Sequence, residues 1–498
     1  MSAAETENLQ SKIAGCWLGK NIGGTLGAPF EGTRECLDLT FYTQPLRGEP
    51  EPNDDLDLQL LWLEMAERYG VEHLTPRLFG EFWLDSIIAG WNEYGVACAN
   101  MQNGFFPPLS GTLNNRKWGS SNGAWIRSEL WACLFPGKPE EAATYAWMDA
   151  SADHCGDGIF AELFTAALES MAFVENDRRK LIENALGFIP EECAVARAVR
   201  HCCTLYDDGR SQLEARDAIV VSNADTGFFQ APQNIAFVIL GLLYGEGEFD
   251  KTLLSAVNCG DDTDCTGATV GAIMGILLGE EGIPERWKSP IGRGIRTTSI
   301  DNMHNNIAVP KTLDELTARV MALSRRSQWT TTGKNLSFLP VSPEYRREVL
   351  ECDTQWMTLP LGSGFLIVYY PEGAEIAPGG TLRLKIASNN RNICRMDLCT
   401  IRIHPPEGWR LLPADEVILR RSPGEVSIEV QAPERMENAV SQLLLEVHTR
   451  GRNYPEYAVC PIQTRGAVQP LMEGRYHLAG QLRRRKERYK AIGEAMEK

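Results

Sequence analysis

The sequence predicts a multidomain protein with a large all-α domain, a small all-β sandwich of the Ig-like kind, and a C-terminal helix. Two observations support this prediction. Apolar residues recur at three- and four-residue spacing through most of residues 1–330, whereas short apolar stretches between turn residues prevail from residue 356. The predicted boundaries are 1–330 for the all-α domain, 331–355 for a linker, 356–468 for the sandwich and 469–498 for the helical tail.

Three segments of the first domain have the clearest helical pattern. Residues 160–173 place apolar side chains on one face, as an amphipathic helix does. Residues 234–244 and 268–278 are apolar on nearly all sides, which predicts helices buried in the core. A glycine at every fourth position from 267 to 279 leaves a smooth face that favours close packing on another helix.

The composition changes after residue 330. Residues 331–344 have the Gly, Pro and Ser content of a linker. Short apolar segments then alternate with turn signals such as PEG, APGG and SPG, which indicates a β-sandwich of roughly a hundred residues. Residues 471–498 have a helical pattern that contains a basic run. The predicted strands are 365–370, 381–386, 399–403, 426–430 and 442–447.

The net charge of −17 is unevenly distributed. Residues 1–330 contain 26 basic and 46 acidic residues, a net charge of −20, whereas residues 331–498 contain 23 and 20, a net charge of +3. A nucleic-acid partner is not expected, because neutralising phosphates requires Lys and Arg. The acidity either keeps the protein soluble or includes carboxylates that bind cations.

The sequence predicts a cytoplasmic protein. The first residues contain no basic segment followed by an apolar stretch, as a signal peptide would, and no apolar run is long enough to span a bilayer. The 14 cysteines form no CxxC pair and have no regular spacing, as expected of reduced, buried thiols. No membrane partner is expected, and a homo-oligomer stays open.

Two acidic clusters are the strongest candidates for chemistry. Residues 53–57 (NDDLD) and 261–265 (DDTDC) each precede a predicted helix, where one carboxylate would act as an ordinary cap. Three carboxylates within four residues, however, repel one another unless cations or pairing offset the repulsion. If the clusters face each other, they can bind one or two hard cations, Mg²⁺ or Mn²⁺ before Zn²⁺. An EF-hand is excluded, since its twelfth position would be Ile273 instead of Glu.

Three further segments contain single candidates. Residues 15–31 are predicted to form a Gly-rich helix ending in a turn that presents Glu31, and we expect Glu31 and all six clustered carboxylates to line one cleft. The small residues at 119–124 would expose backbone N–H groups to phosphate oxygens, although most such loops are only turns. His154 precedes the helix at 160–173, and a lone histidine there is more often a core residue.

Taken in order, these segments resemble the ADP-ribosylglycohydrolase family over about residues 10–310. The family's early G-D-A-L-G-x-P-x-E stretch is similar to GGTLGAPFE (23–31), and its T/S-D-D-T motif is similar to NDDL (53–56). The sandwich lies outside this resemblance and looks like an accessory domain. Three later motifs, S/G-N-G-A-x-M-R, T-H and G-G-D-T-D-T, are similar to SNGAWIR (121–127), DH (153–154) and GDDTDC (260–265).

The resemblance implies an all-α fold with two divalent cations, Mg²⁺ or Mn²⁺, in a central cleft. It implies Glu31 in a gating or acid–base role, with Asp55 as the other candidate base. It also implies that the diphosphate of the substrate contacts Ser121, Asn122 and Gly123, and that the distal ribose contacts His154. The implied metal ligands are Asn53, Asp54, Asp55, Asp262 and Asp264.

The sequence departs from the family's motifs at several positions. Leu56 replaces the second Thr of the first motif, and Cys265 replaces a Thr that is often a metal ligand in the family. Because a thiol is a poor ligand for Mg²⁺, a single bound cation is the alternative to two. Gly24 also replaces an Asp of the early motif, and Asp261 replaces a Gly and adds a carboxylate.

These observations leave three functional hypotheses. The first is a metal-dependent glycosyl hydrolase that releases ADP-ribose, or another ribosyl group, from a modified protein or small molecule through an oxocarbenium-like transition state. The second keeps the fold but acts on another glycoside or a nucleoside, which Leu56, Cys265 and the sandwich motivate. The third is a catalytically lapsed ADP-ribose-binding or structural protein, against which the two acidic clusters argue.

Overall fold

The computed structural model describes residues 3–300, 307–327, 338–362, 364–388, 398–412, 416–420 and 424–467. The predicted fold class is confirmed, because a helical N-terminal domain is followed by a C-terminal region of two β-sheets. The C-terminal helix predicted at 469–498 lies outside the described residues.

The helical domain contains one long N-terminal helix and a series of mostly shorter ones. The helices predicted at 160–173, 234–244 and 268–278 are confirmed and belong to the eighth, twelfth and fourteenth. In chain order the helices are α1 (Ala3–Gly27), α2 (Asp54–Tyr69), α3 (Pro76–Ser86), α4 (Asn92–Gln102), α5 (Leu109–Thr112), α6 (Glu129–Leu134), α7 (Pro139–Ala150), α8 (Asp157–Ala172), α9 (Arg178–Ala185), α10 (Ala194–Asp207), α11 (Gln212–Ser222), α12 (Ala231–Tyr244), α13 (Phe249–Val257), α14 (Thr263–Gly282), α15 (Glu285–Lys288), α16 (Leu313–Ser327) and α17 (Pro343–Tyr345).

Helices α1 and α14 pack against each other in antiparallel directions with their backbones in contact. A methyl group added at Gly19 would overlap the carbonyl oxygen of Gly271, and one added at Gly271 would overlap that of Gly19. The same relation joins Gly23 with Gly267, and Gly15 with Gly275. The smooth face predicted for α14 therefore packs on a second helix with the same glycine spacing, and the absence of side chains allows this approach.

This packing places the end of α1 beside the start of α14. A methyl group at Gly27 would overlap the backbone of Thr263, and the Thr263 hydroxyl donates a hydrogen bond to the Gly27 carbonyl at 2.8 Å. A single 3₁₀ turn, Ala28–Phe30, follows α1 and leads directly to Glu31. The turn predicted to present Glu31 thus lies next to the second acidic cluster.

The C-terminal region folds as two five-stranded sheets, with strand orders β1-β2-β4-β8-β6 and β3-β10-β9-β5-β7. Alternate side chains of both sheets, such as Leu384 and Leu445, are buried in one shared core, which makes the region a β-sandwich. The strands are β1 (Trp356–Leu361), β2 (Gly364–Tyr369), β3 (Glu375–Ile376), β4 (Thr381–Ser388), β5 (Leu398–His404), β6 (Arg410–Leu412), β7 (Glu416–Arg420), β8 (Gly424–Gln431), β9 (Val440–Thr449) and β10 (Glu456–Thr464).

The five predicted strands correspond to β2, β4, β5, β8 and β9, so sequence analysis missed the other five. Strands β1 and β10 contain Pro360 and Pro461, and a proline argues against a strand because it cannot donate to the ladder. The structure tolerates both. Pro360 is tolerated because β1 lies at the edge of its sheet. Pro461 is tolerated because, among the described strands, β3 pairs with β10 only at Gln463 and Thr464 and so does not reach Pro461.

The sandwich packs directly on the segment of the helical domain around α5. Phe105, Leu109 and Leu113 are buried in the core of the sandwich and extend it into the helical domain. Asn114 and Gln463 exchange two side-chain hydrogen bonds, each 2.8 Å long. The two domains therefore share an apolar boundary that supports the chain shortly before residue 121.

Residues 338–350, part of the segment predicted as a linker, also pack on the helical domain. Val341, Tyr345 and Val349 belong to the core of that domain. The Tyr345 hydroxyl donates a hydrogen bond to the Phe188 carbonyl at 2.9 Å. The start of the predicted linker, up to residue 337, lies outside the described residues.

Within the described ranges, none of the helices has both the length and the apolar character needed to cross a membrane. The 13 cysteines in the same ranges are free thiols.

We expect Gly271→Ala to destabilise the protein by about 2–3 kcal/mol, because the added methyl group must push α1 and α14 apart. This cost exceeds the gain of about 1 kcal/mol that alanine brings to a helix. Urea unfolding of the native protein and of the variant measures the difference in the free energy of unfolding. Gly294→Ala is the matched control, since a methyl group there meets no atom within 4 Å. Equal unfolding midpoints for all three proteins would contradict the backbone contact.

Candidate active site

A cleft opens where the end of α1 meets the starts of α2 and α14. Most of the acidic residues that line it come from these helix ends. The opposite wall comes from α4, which adds Glu93, from the segment around residues 121–126 and from Phe229. The lining residues are Glu31, Asp54, Trp91, Asn92, Glu93, Tyr94, Ser121, Asn122, Gly123, Ile126, Phe229, Asp262, Asp264 and Cys265.

The two acidic clusters face each other across this cleft. Ligand atoms of Glu31, Asp262 and Asp264 all lie within 4.8 Å of one another. Ligand atoms of Asp55, Asp264 and Cys265 lie equally close. Asp264 belongs to both groups, so the starts of α2 and α14 form one continuous set of candidate ligands.

The carboxylates of this set are poorly satisfied by the protein alone. In the described part of the chain, Asp55 Oδ2, Asp262 Oδ1 and Asp264 Oδ1 are buried without a hydrogen-bond partner. Burial and the nearby Asp264 carboxylate raise the pKa of Asp54 to about 7, and they raise the pKa of Asp55 and Asp262 well above the usual range. Because unpartnered buried carboxylates are costly, a divalent cation fits this donor set.

Glu31 stands at the mouth of the cleft, and its side chain is exposed. Partial desolvation of its carboxyl, followed by the charges of Asp264 and Asp54, raises the pKa of Glu31 to about 7. A carboxyl whose pKa lies near 7 suits proton transfer near neutral pH.

Asn53 caps α2 and leaves its nitrogen facing the cleft. Its Oδ1 accepts a hydrogen bond from the backbone N–H of Asp55 at 2.8 Å, and its Nδ2 lies 3.4 Å from Asp264 Oδ2. A methyl group at Gly24 would lie 2.6 Å from Asn53 Nδ2. Two departures from the family's motifs thus compensate each other, since glycine at position 24 leaves the room that the Asn53 amide occupies.

Asp55, Asp57 and Asp261 are absent from the cleft lining, contrary to the expectation that all six clustered carboxylates line it. Asp57 and Asp261 instead hold loops in place. Asp57 Oδ2 accepts hydrogen bonds from the backbone N–H groups of Thr298 and Ser299, both at 2.6 Å. Asp261 accepts hydrogen bonds from the backbone of Phe229 at 3.1 Å and from the Gln233 side chain at 2.6 Å. Asp261 therefore anchors the loop that brings Phe229 to the cleft.

The loop at 121–123 reaches the cleft, but its polar side chains are already engaged. Asn122 Nδ2 donates a hydrogen bond to Asp262 Oδ2 at 2.7 Å, and Asn122 Oδ1 accepts one from Trp125 Nε1 at 3.1 Å. The next helical element is only a single 3₁₀ turn, Trp125–Arg127. The loop consequently positions Asp262, and it lacks the long helix whose dipole would favour a phosphate group.

His154 lies behind the cleft wall and is completely buried. Its Nε2 lies 3.2 Å from Ser121 Oγ, and its Nδ1 lies 2.8 Å from Asp153 Oδ1. Arg127 pairs with the same Asp153 at 2.6 Å. His154 therefore contacts Ser121, a residue of the cleft wall, and is itself absent from the cleft lining.

Sequence analysis missed Glu93, whose carboxyl lines the wall opposite the acidic clusters. Glu93 Oε2 lies 2.8 Å from Ser121 Oγ, and a methyl group at Gly123 would overlap Glu93 Oε1. Burial raises the pKa of Glu93. In the sequence Glu93 looks like an ordinary acidic residue in the first turn of a helix, and no local signal distinguishes it. The sequence analysis also missed the aromatic residues Trp91, Tyr94 and Phe229, because no local motif marks them as part of a site.

The helical domain thus carries one cleft in which carboxylates from several helix ends are clustered. The family model of ADP-ribosylglycohydrolase matches residues 5–327, and the chain belongs to the ADP-ribosylglycohydrolase family. The resemblance inferred from the motifs is thereby confirmed, and the family implies a glycosyl hydrolase that acts on ADP-ribosylated substrates. The sandwich lies outside the matched residues. No curated protein matches the chain.

We expect Asp264→Asn to stabilise the protein in EDTA, because it removes one of the repelling carboxylates. The same change should abolish the stabilisation by Mn²⁺, which for one site amounts to about 2.7 kcal/mol at a concentration of 100 times Kd. Thermal unfolding with EDTA and with Mn²⁺ measures both effects. The control is Asp208→Asn at an exposed position after α10. An equal Mn²⁺ response in all three proteins would contradict a cation site at Asp264.

Proposed function

We propose that this protein is a divalent-metal-dependent hydrolase that releases ADP-ribose from a modified protein or a small molecule. The observation that carries the proposal is the meeting of unpartnered carboxylates from two helix starts in one cleft, within the domain that matches the family. Such carboxylates are retained at a cost in stability, and catalysis is the usual reason for that cost.

The residues that would hold two Mg²⁺ or Mn²⁺ ions are Asp54, Asp55, Asp262 and Asp264. When bound, the cations would supply Lewis-acid stabilisation for the vicinal hydroxyls of the ribose and for the attacking water. Asn53 supports this set from outside by capping α2 and contacting Asp264. Asn122 supports it by fixing the orientation of Asp262.

Glu31 is the acid–base residue of the proposal. Its carboxyl is open to solvent at the mouth of the cleft and lies beside Asp262 and Asp264. Asp55, the other candidate base, is buried and accepts a hydrogen bond from the Cys265 thiol at 3.4 Å. Glu31 is therefore better placed to take the proton of the attacking water and to return it to the leaving group.

The aromatic residues of the opposite wall would bind the flat part of the substrate. Trp91 and Tyr94 lie with their ring centroids 6.0 Å apart, and Phe229 stands on the loop that Asp261 anchors. Such side chains offer stacking surfaces for a nucleobase. The Ser121 hydroxyl, whose proton is used in its hydrogen bond to Glu93, would accept a hydrogen bond from a sugar hydroxyl.

We expect Glu31→Gln to lower the rate of ADP-ribose release by about 10²–10⁴-fold while it preserves the Mn²⁺ stabilisation. Chromatographic measurement of ADP-ribose released from an ADP-ribosylated protein in Mn²⁺ and in EDTA gives the rates. Glu35→Gln, an exposed change in the same loop, is the control. Release that continues in EDTA, or that is unchanged in Glu31→Gln, would contradict the mechanism.

One observation favours a second candidate, a hydrolase of another glycoside or nucleoside. The Glu93 carboxyl lies against Ser121 and Gly123, where the resemblance would place the diphosphate of the substrate. A carboxylate repels a diphosphate but accepts hydrogen bonds well from sugar hydroxyls.

Glu93→Gln separates the two substrates. If a diphosphate binds beside Glu93, the variant should bind ADP-ribose at least as tightly as the native protein, since a repelling charge is removed. If Glu93 binds a sugar hydroxyl, kcat/KM for a plain riboside or hexoside should fall by about tenfold or more. Calorimetry with ADP-ribose and a panel of chromogenic glycosides measure these effects. Tight ADP-ribose binding without turnover in any metal would instead indicate a binding protein.

A further inference from the structure

Cys265 is placed differently from an ordinary buried cysteine. It lies in the first turn of α14, it lines the cleft, and its Sγ is 3.4 Å from Asp55 Oδ1. Among the described residues that could hold a metal ion, Cys265 is the cysteine that groups with carboxylates, those of Asp55 and Asp264. A thiol that contacts the carboxylates of a candidate cation site is a potential metal ligand.

The Asp55 and Asp264 carboxylates beside Cys265 each have an oxygen that is available to a ligand. Asp55 is 1% exposed and Asp264 is 7% exposed, and within the described residues Asp55 Oδ2 and Asp264 Oδ1 have no hydrogen-bond partner. The buried Lys20 ammonium, whose charge acts on Asp55, is bound to Glu129 and the Ile126 carbonyl, each at 2.7 Å. Each carboxylate therefore keeps an oxygen for a ligand, and one oxygen of each lies within 4.8 Å of the other and of the Cys265 sulfur.

The separation of the donors suits coordination. Ligand distances of about 2.3 Å for sulfur and 2.1 Å for oxygen place the two atoms about 3.6 Å apart in a tetrahedral site. The observed distance between Cys265 Sγ and Asp55 Oδ1 is 3.4 Å. Only small side-chain movements are needed to bring Asp264 into the same shell, since all three donor atoms lie within 4.8 Å of one another.

We propose that Asp55, Asp264 and Cys265 form a mixed oxygen–sulfur subsite that prefers a thiophilic divalent cation, of the class of Zn²⁺ or Co²⁺, over Mg²⁺. The neighbouring group of Glu31, Asp262 and Asp264 offers oxygen alone and suits Mg²⁺ or Mn²⁺. Cation binding forms a metal–sulfur bond and releases the thiol proton to solvent, without any change of oxidation state. The inference rests on the proposed function, because it concerns cations of the same cleft.

Titration of the metal-free, full-length protein with Co²⁺ tests this subsite without an activity assay. We expect a thiolate-to-cobalt charge-transfer band in the near ultraviolet. Cys265→Ser should lose that band while still binding Co²⁺ through oxygen, and its preference for Co²⁺ over Mg²⁺ in competition should fall at least tenfold. Cys202→Ser, a buried thiol on α10, is the matched control and should keep the band.

Bound Co²⁺ without the band in the native protein, or the same band in Cys265→Ser, would overturn the proposal. X-ray absorption at the zinc edge of the native protein gives a test that needs no variant, since it detects sulfur in the coordination shell directly. A missing sulfur with Mg²⁺-dependent hydrolysis intact would overturn this inference alone. A sulfur ligand without ADP-ribose release would overturn only the proposed function.

Discussion

The contact between the backbones of α1 and α14 is the constraint on which the rest of the site depends. Because glycines face each other along both helices, the two axes approach more closely than any side chain would allow. The antiparallel direction brings the end of α1 to the start of α14, and so places Glu31 beside Asp262 and Asp264. These three acidic residues are therefore held by a rigid pair of helices, with Glu31 joined to α1 by a single 3₁₀ turn.

The carboxylates of the two acidic clusters have two roles, cation binding and the anchoring of loops. Asp262 and Asp264, which line the cleft, and the buried Asp55 each keep an oxygen without a hydrogen-bond partner among the described residues, which a cation would satisfy. Asp57 and Asp261 accept hydrogen bonds from backbone N–H groups, at Thr298 and at Phe229. Asp261 thereby fixes the loop that carries Phe229 of the cleft wall. A charged cluster of this density is tolerable because part of its charge is used to hold the structure together and part is available to a ligand.

The sandwich supports the helical domain at a point that matters for the cleft. Its core includes Phe105, Leu109 and Leu113, which lie in the segment that leads to the loop at 121–123. None of the cleft-lining residues among the described ranges belongs to the sandwich. The sandwich therefore contributes to the cleft indirectly, because it supports the segment that precedes Ser121 and Asn122.

The sequence by itself determined the features that depend on local spacing. Helical and strand periods predicted the two domains, and the motifs at helix starts identified the family and the acidic clusters. Tertiary structure alone decided which of the clustered carboxylates face the cleft, since Asp57 and Asp261 are turned away by backbone groups distant in the chain. It also brought Glu93 to Ser121 and buried His154 behind it, because such contacts depend on how helices far apart in sequence pack together.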